Sequence, residues 1–309
     1  MKRRDFLRNS VGFGVLSGAA LSLGNFNELV AGETGAMQLP YDMVAIKGGE
    51  AAEMFDKGIA SLGGMKQFVK ANQTVVIKPN IGWDSAPERA ANTNPDLIAS
   101  IVEHCQRAGA KAVYVFDNTC AEGVRCYKMS GIEDAVKRAG GTMVSGRSEG
   151  YYHEVTLPKS KKLKTARVHE LILESDVFIN VPILKNHGGS TLSVAMKNMM
   201  GVVWDREFWH RNDLHQCIAD FAAYRKPDLN IVDAYRVMKR NGPRGVSVAD
   251  VATMKYQIIA KDIVAIDTAA AKVFGIDPGQ VKHIALAEQL GAGSSNIDAM
   301  KVNRISVGA

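Results

Sequence analysis

The chain is poor in the residues that mark extreme protein classes. Of 309 residues only 4 are Cys and 9 are Pro, and aromatic residues make up 7%. So few cysteines exclude a disulfide scaffold. So little proline beside 46% hydrophobic residues excludes a collagenous or disordered chain. No Cys-x-x-Cys-x-x-Cys run occurs, so the cysteine framework of ferredoxin-type clusters is missing. No apolar run reaches the about 20 residues of a membrane-spanning helix. There is no His-Glu-x-x-His, no Gly-x-Gly-x-x-Gly after a strand, and no Gly-Lys-Ser/Thr closing a loop. Zinc-protease, nicotinamide and phosphate-loop readings therefore lack support. A core of this size needs neither metal nor disulfide to fold.

Charge is the first positive feature. The formal net charge is +6 and the pI about 9.0, which on its face suggests a polyanion. No five basic residues stand in a row. The densest patch, Lys159-Ser160-Lys161-Lys162-Leu163-Lys164, reads as a solvated hairpin or loop. Nucleic acid is therefore not expected as a partner. Part of the charge also lies in an N-terminal segment that reads as an address. Arg3-Arg4 is followed by Phe6-Leu7 and then by a modest Gly- and Ala-rich apolar run from Val11 to Leu23. This resembles the twin-arginine export signal. The resemblance implies passage through the twin-arginine machinery and a periplasmic or otherwise exported protein. It implies no stable membrane span after cleavage. Leu29-Val30-Ala31 fits the small-residue cleavage rule, and a site near Ala36 is the alternative. Removing residues 1–31 takes away four basic and two acidic residues, leaving +4 over 278 residues. Residues 32–309 then form a single α/β domain.

Periodicity sets the fold expectation. Met43 to Gly48 reads as a strand, Glu50 to Ile59 as a helix, and Thr74 to Asn80 as a buried strand ended by Pro79. Asn94-Pro95 starts a helix that Gly109 stops, and Ala112 to Asp117 is the next strand. Gly131 to Ala139 is helical. Tyr152 to Leu157 and Thr165 to Leu173 suggest a hairpin insertion. Asp176 to Pro182 is another buried strand, and Leu192 to Met200 a short helix. Strands over 229–233, 255–260 and 302–307 and helices over 268–274 and 281–290 complete the chain. The alternation predicts an α/β protein with a mainly parallel sheet flanked by helices, in one or two lobes.

In such sheets ligands bind beyond the carboxyl ends of the strands. Polar residues cluster at four such ends: Lys78-Pro79-Asn80, Asp117-Asn118-Thr119-Cys120, Asn180 to His187, and Asp233 to Arg236. The third cluster delivers Lys185 and His187 into Gly188-Gly189-Ser190-Thr191. A helix beginning near Ser190 or Thr191 would offer its N–H groups to an anion. Lys78, Asn80, Lys197 and Asn198 are the candidate substrate-binding residues. Lys185, His187 and Asp117 are the candidate catalytic groups, moving a proton or ligating a metal. Cys105 and Cys217 fit apolar helix faces. Cys120 and Cys126 admit three readings: a disulfide, a metal pair assisted by His187 or Asp117, or no relation.

The runs Ile77-Lys78-Pro79-Asn80, Val115-Phe116-Asp117-Asn118, Leu184-Lys185-Asn186-His187 and Lys197-Asn198-Met199-Met200-Gly201 together resemble the family called domain of unknown function 362. The ending Ile284-Ala285 through Leu290-Gly291-Ala292-Gly293 is similar too, so the likeness spans residues 43–307. The resemblance implies an α/β fold without naming an activity. Some members hold iron–sulfur clusters on ferredoxin-like cysteine motifs, which this chain does not have. A more distant fold analogy is to nickel-dependent lactate racemases. Three functional readings stay open: an exported enzyme acting on an anionic small molecule, a redox protein carrying a metal or iron–sulfur cluster, and a non-catalytic binder of small anions.

Overall fold

Continuous apolar strands need cover on both faces, and the observed architecture supplies it. The computed structural model describes residues 38–308; the export-signal segment lies outside the described residues. In chain order the elements are β1 (Met43–Lys47), α1 (Ala51–Ser61), β2 (Thr74–Pro79), α2 (Pro95–Arg107), β3 (Ala112–Val115), α3 (Gly123–Met129), α4 (Ile132–Arg138) and β4 (Thr142–Met143). Then come β5 (Tyr152–Thr156), β6 (Thr165–His169), α5 (Glu170–Glu174), β7 (Val177–Val181), β8 (Ile183–His187), β9 (Thr191–Ser193), α6 (Ala195–Asn198), α7 (Glu207–Arg211) and α8 (Leu214–Tyr224). The chain closes with β10 (Leu229–Met238), β11 (Val251–Ala260), α9 (Ile263–Phe274), α10 (Lys282–Gln289) and β12 (Val302–Ser306).

Ten strands form one sheet in the order β12-β1-β11-β10-β7-β2-β3-β4, with β8 on β10 and β9 on β8. Parallel pairing dominates: β10 with β7, β7 with β2, β2 with β3 and β3 with β4 all run parallel. β11 is antiparallel to both neighbours. β5 and β6 form a separate hairpin, as the sequence suggests. The period of two sorts each strand between two cores. Val75 and Ile77 join Val177, Ile179 and Ile231 under α1 and α2. Val76, Phe178 and Val232 face Ile218, Phe221, Val264 and Ile284 from α8, α9 and α10. No helix among the described residues is long and apolar enough to cross a membrane.

Local signals act where neighbours agree with them. The Asn94 side chain accepts from Asp96 N at 2.9 Å and caps α2, a contact worth about 1 kcal/mol. Two expectations fail for tertiary reasons. Residues 170–174 are helical rather than strand, because the His169 ring accepts from Leu171 N and caps a turn. The chain also resumes extended after Pro182 as β8 and turns back over 188–190 into β9, with β8 paired to β10 and β9. Ser190 and Thr191 therefore start no helix. The helix begins only at Ala195 and is four residues long.

Candidate functional site

From β2 the chain moves to one side of the sheet, into β3 and β4. From β7 it moves to the other, into β10. The carboxyl ends of β2 and β7 thus flank a topological switch point, where open α/β sheets leave a crevice. A small cleft, partly open to solvent, lies beside the end of β2. Its lining includes Lys78, Asn80 and Gly82, then Asp117 and Cys120, then Lys197, Asn198, Met200 and Gly201, with Arg206 and His210 beyond.

A ladder of buried polar groups forms the floor. Lys78 is 1% exposed, and its ammonium donates to Asn198 Oδ1 at 2.7 Å. The same nitrogen lies 3.0 Å from Asp117 Oδ1. That approach is an ion pair without hydrogen-bond alignment, so Oδ1 has no hydrogen-bond donor among the described residues. Asp117 Oδ2 is held by Ile81 N at 2.7 Å. Asn198 Nδ2 donates to Lys78 O and to Asn180 Oδ1, and Asn180 Nδ2 donates to Asn230 Oδ1. Asn80 Nδ2 donates to Asn198 Oδ1 while its Oδ1 accepts from Lys185 Nζ at 3.0 Å. Lys185 stands behind the lining and also donates to Ala91 O. Asparagine suits this floor because one amide both donates and accepts, which joins several strand ends in one network.

Gly201 makes the ion pair sterically possible. A Cβ there would lie 1.9 Å from Asp117 Oδ1 and 2.5 Å from Lys78 Nζ. Its carbonyl accepts from Asn118 N at 2.9 Å, which seats the β3 end against the α6 segment.

Cations outnumber carboxylates here. Lys78, Lys185, Lys197 and Arg206 stand against Asp117. Burial lowers the pKa of all three lysines: Lys185 to about 7, Lys197 to about 8, and Lys78 in the same direction against the opposing pull of Asp117. Lys78 and Lys185 spend their donors on protein acceptors. No protein acceptor or carboxylate stands within reach of Lys197 Nζ among the described residues. Lys197 is half-buried in the cleft lining; an amine with lowered pKa can exchange a proton near neutrality, and an ammonium with no protein partner is free to meet an anion.

Most sequence candidates meet in this cleft: Lys78, Asn80, Asp117, Cys120, Lys197 and Asn198 line it, and Lys185 touches it through Asn80. His187 is not in the lining. Its Nδ1 accepts from Gly189 N and Ser190 N, and burial, then the Lys197 and Lys185 charges, hold its pKa down at about 3. The expected helix-terminal anion site is filled from within. Asp267, 1% exposed on α9, accepts from Ala195 N at 2.7 Å and Met196 N at 3.2 Å. The cysteine expectations are corrected as well. All four cysteines are free, and burial pushes the Cys126 thiol up to about 11. Among the described residues no three His, Cys, Asp or Glu side chains stand together to hold a metal, so Cys120 and Cys126 form no metal pair with His187 or Asp117.

Arg206, in the irregular stretch between the 199–202 turn and α7, and His210, on α7, were not among the site candidates. Arg206 donates to Asn118 O at 2.6 Å and Thr119 O at 2.8 Å. Only a charged residue just past the Lys197–Gly201 run could have flagged it. Gly146-Arg147-Ser148-Glu149-Gly150 carries the letters of a nucleophile elbow. Ser148 is exposed, however, on the loop between β4 and β5 rather than on a strand-to-helix turn in the cleft.

The Thylakoid-associated protein sll1697 of Synechocystis sp. is 27% identical over 241 residues, covering 74% of this chain and 72% of that protein. The lactate racemase apoprotein from Thermoanaerobacterium thermosaccharolyticum superposes with a TM-score of 0.45 at 13% identity, over 69% of this chain and 53% of that one. A Thermotoga maritima protein of known crystal structure gives 0.43 at 11%, over 77% and 59%. The chain thus spans between half and two thirds of the length of these two solved chains. Residues 75–272 match the family described as Domain of unknown function (DUF362). That stretch is well over half of the chain and contains every cleft residue from Lys78 to His210, and the chain belongs to the DUF362 family.

Proposed function

We propose that the cleft binds a small organic anion and that the chain is an enzyme moving a proton on it. The observation that carries this reading is the unpaired Lys197 ammonium in a cleft where three lining cations, with Lys185 behind them, face one carboxylate. Lys78 holds positive charge at the cleft floor, and Lys185, behind it, positions Asn80. Asp117, tied to Ile81 N and Lys78, keeps the Lys78 ammonium in place. Lys197, with its pKa at about 8, is the group free to take or give the proton.

The test is titration with acetate and inorganic phosphate, read by calorimetry, on the natural chain and on Lys197→Met. Affinity should fall about 10-fold or more in the variant, the scale of one charge-assisted contact. Equal affinity in the two proteins would refute the reading. Proton transfer is then checked by loss of the α-proton signal of small carboxylates in heavy water. Binding with no exchange across the panel would assign the chain as a binder rather than an enzyme.

Export through the twin-arginine route belongs to the same reading. It is supported by Arg3-Arg4 with Phe6-Leu7. Replacing both arginines by lysine should leave the longer precursor in the cytoplasm. An unchanged fractionation and unchanged mass would remove this part.

A further inference from the structure

Cys120 has no task in anion binding as proposed, yet it lines the same cleft. It is exposed, whereas Cys105, Cys126 and Cys217 are buried. Its sulfur lies 3.6 Å from Arg206 Nη1. Its position is built rather than incidental. Cys120 N donates to Gly82 O at 2.9 Å. The preceding carbonyls are gripped by guanidinium groups: Arg206 takes Asn118 O and Thr119 O, and Arg147 takes Thr119 O at 3.2 Å. These contacts fix the backbone that carries Cys120. The lysines that would hold a carboxylate therefore share the cleft with a sulfur nucleophile.

We infer that Cys120 is a nucleophile toward a small carboxylate bearing an adjacent carbonyl, a 2-oxo acid. The inference rests on the anion reading of the cleft and names its substrate class. The cations hold the carboxylate, and the sulfur adds to the neighbouring carbonyl carbon. An S–C bond forms, the C=O π pair moves onto oxygen, and the thiol proton ends on that oxygen. Nothing leaves and no oxidant or reductant is consumed. Cations around the cleft stabilise charge as it develops on the oxygen. A phosphate would fill the same charge but offers the sulfur no electrophilic carbon.

Two alkylating reagents of nearly equal size separate this role from simple exposure. With either one the sulfur attacks the CH2 carbon and iodide leaves, but iodoacetate is an anion and iodoacetamide is neutral. The full-length chain is treated with each, and the rate at every cysteine is read by peptide mass spectrometry. Cys120 should favour iodoacetate by about 10-fold or more over the preference of free cysteine, the scale of electrostatic concentration in a charged cleft. Lys197→Met should cancel that preference, and excess pyruvate should slow the reaction at Cys120. The buried cysteines serve as internal references. No preference for iodoacetate, or no protection by pyruvate, overturns the inference. If either occurs while acetate and phosphate still bind in a Lys197-dependent way, the anion reading survives and only the thiol role is lost. If those anions also fail to bind, both fall.

Discussion

Two buried charged regions of this molecule resemble each other by burial and differ in closure. Asp220 on α8 is 1% exposed and accepts from Lys161 N, Lys162 N and Leu163 N, and from Gln216 Nε2, at 2.7 to 2.9 Å. The protein itself supplies every partner. The basic patch 159–164 is thereby folded back over its own carboxylate acceptor, its backbone donors spent inside the chain. The cleft is built the other way. Its cations exceed its carboxylates, the Lys78–Asp117 approach leaves Oδ1 without an aligned donor, and Lys197 has no acceptor. Burial of charge alone therefore does not mark a site. A shortfall of protein partners around buried charge does, since desolvated groups without partners are costly unless a ligand supplies them.

The comparison can be broken from either end. The largest effect should come from Asp220→Ala, which orphans three backbone donors and an amide. It should cost about 4 kcal/mol in urea unfolding and leave acetate affinity unchanged. A parallel loss of acetate affinity would mean that the two regions are not independent. Next, Gly201→Ala puts a Cβ against Asp117 Oδ1 and Lys78 Nζ, where Asp117 cannot retreat without releasing Ile81 N. Overpacking of this kind costs about 2 kcal/mol, and acetate affinity should fall about 10-fold as the floor is displaced. Natural affinity in this variant would detach the ion pair from the cleft's work.

The smallest effect is a pH dependence. Lys185 and Lys197 titrate at about 7 and about 8 in the folded chain, below the ordinary 10.5. Between those values and 10.5 the unfolded chain binds more protons than the folded one, so their contribution to stability rises with pH across that window. Acetate affinity should move oppositely, falling severalfold from pH 7 to pH 9 as the ammoniums lose their protons. Lys197→Met should flatten the upper part of both curves. An affinity that is constant over this range would show that neither amine carries the anion's countercharge.

Much of the fold was legible because its signals are local. Val75-Val76-Ile77, Val113 to Val115 and Val177 to Ile179 read as buried strands, and each lies within the sheet. Asn94-Pro95 read as a helix start, and the side chain caps as expected. The cleft was half legible, since Lys78, Asp117 and Asn198 flank strand ends or sit in a recognisable run. The loop from Pro182 to Ser193 was misread. Its Gly-Gly-Ser letters do make a turn, over 188–190, but the chain then pairs as β9 with β8 instead of starting a helix, and Thr191 takes a left-handed φ of 66°. The cysteine pair was left open among three readings, because a spacing of six says nothing about where two sulfurs point, and the structure keeps both thiols free.

By itself, the sequence determined which segments are strands or helices and which polar residues sit at the strand ends. Those properties depend on neighbours a few positions away. Tertiary structure alone decided which polar groups remain open to a ligand. Asp267, 72 positions from Ala195, fills the helix end that looked available, and Asp220, 57 positions from Leu163, fills the basic loop. Lys197 gains no such partner. Hydrogen-bond satisfaction is a matter of distance in space, and it separates an anion site from a closed structural contact.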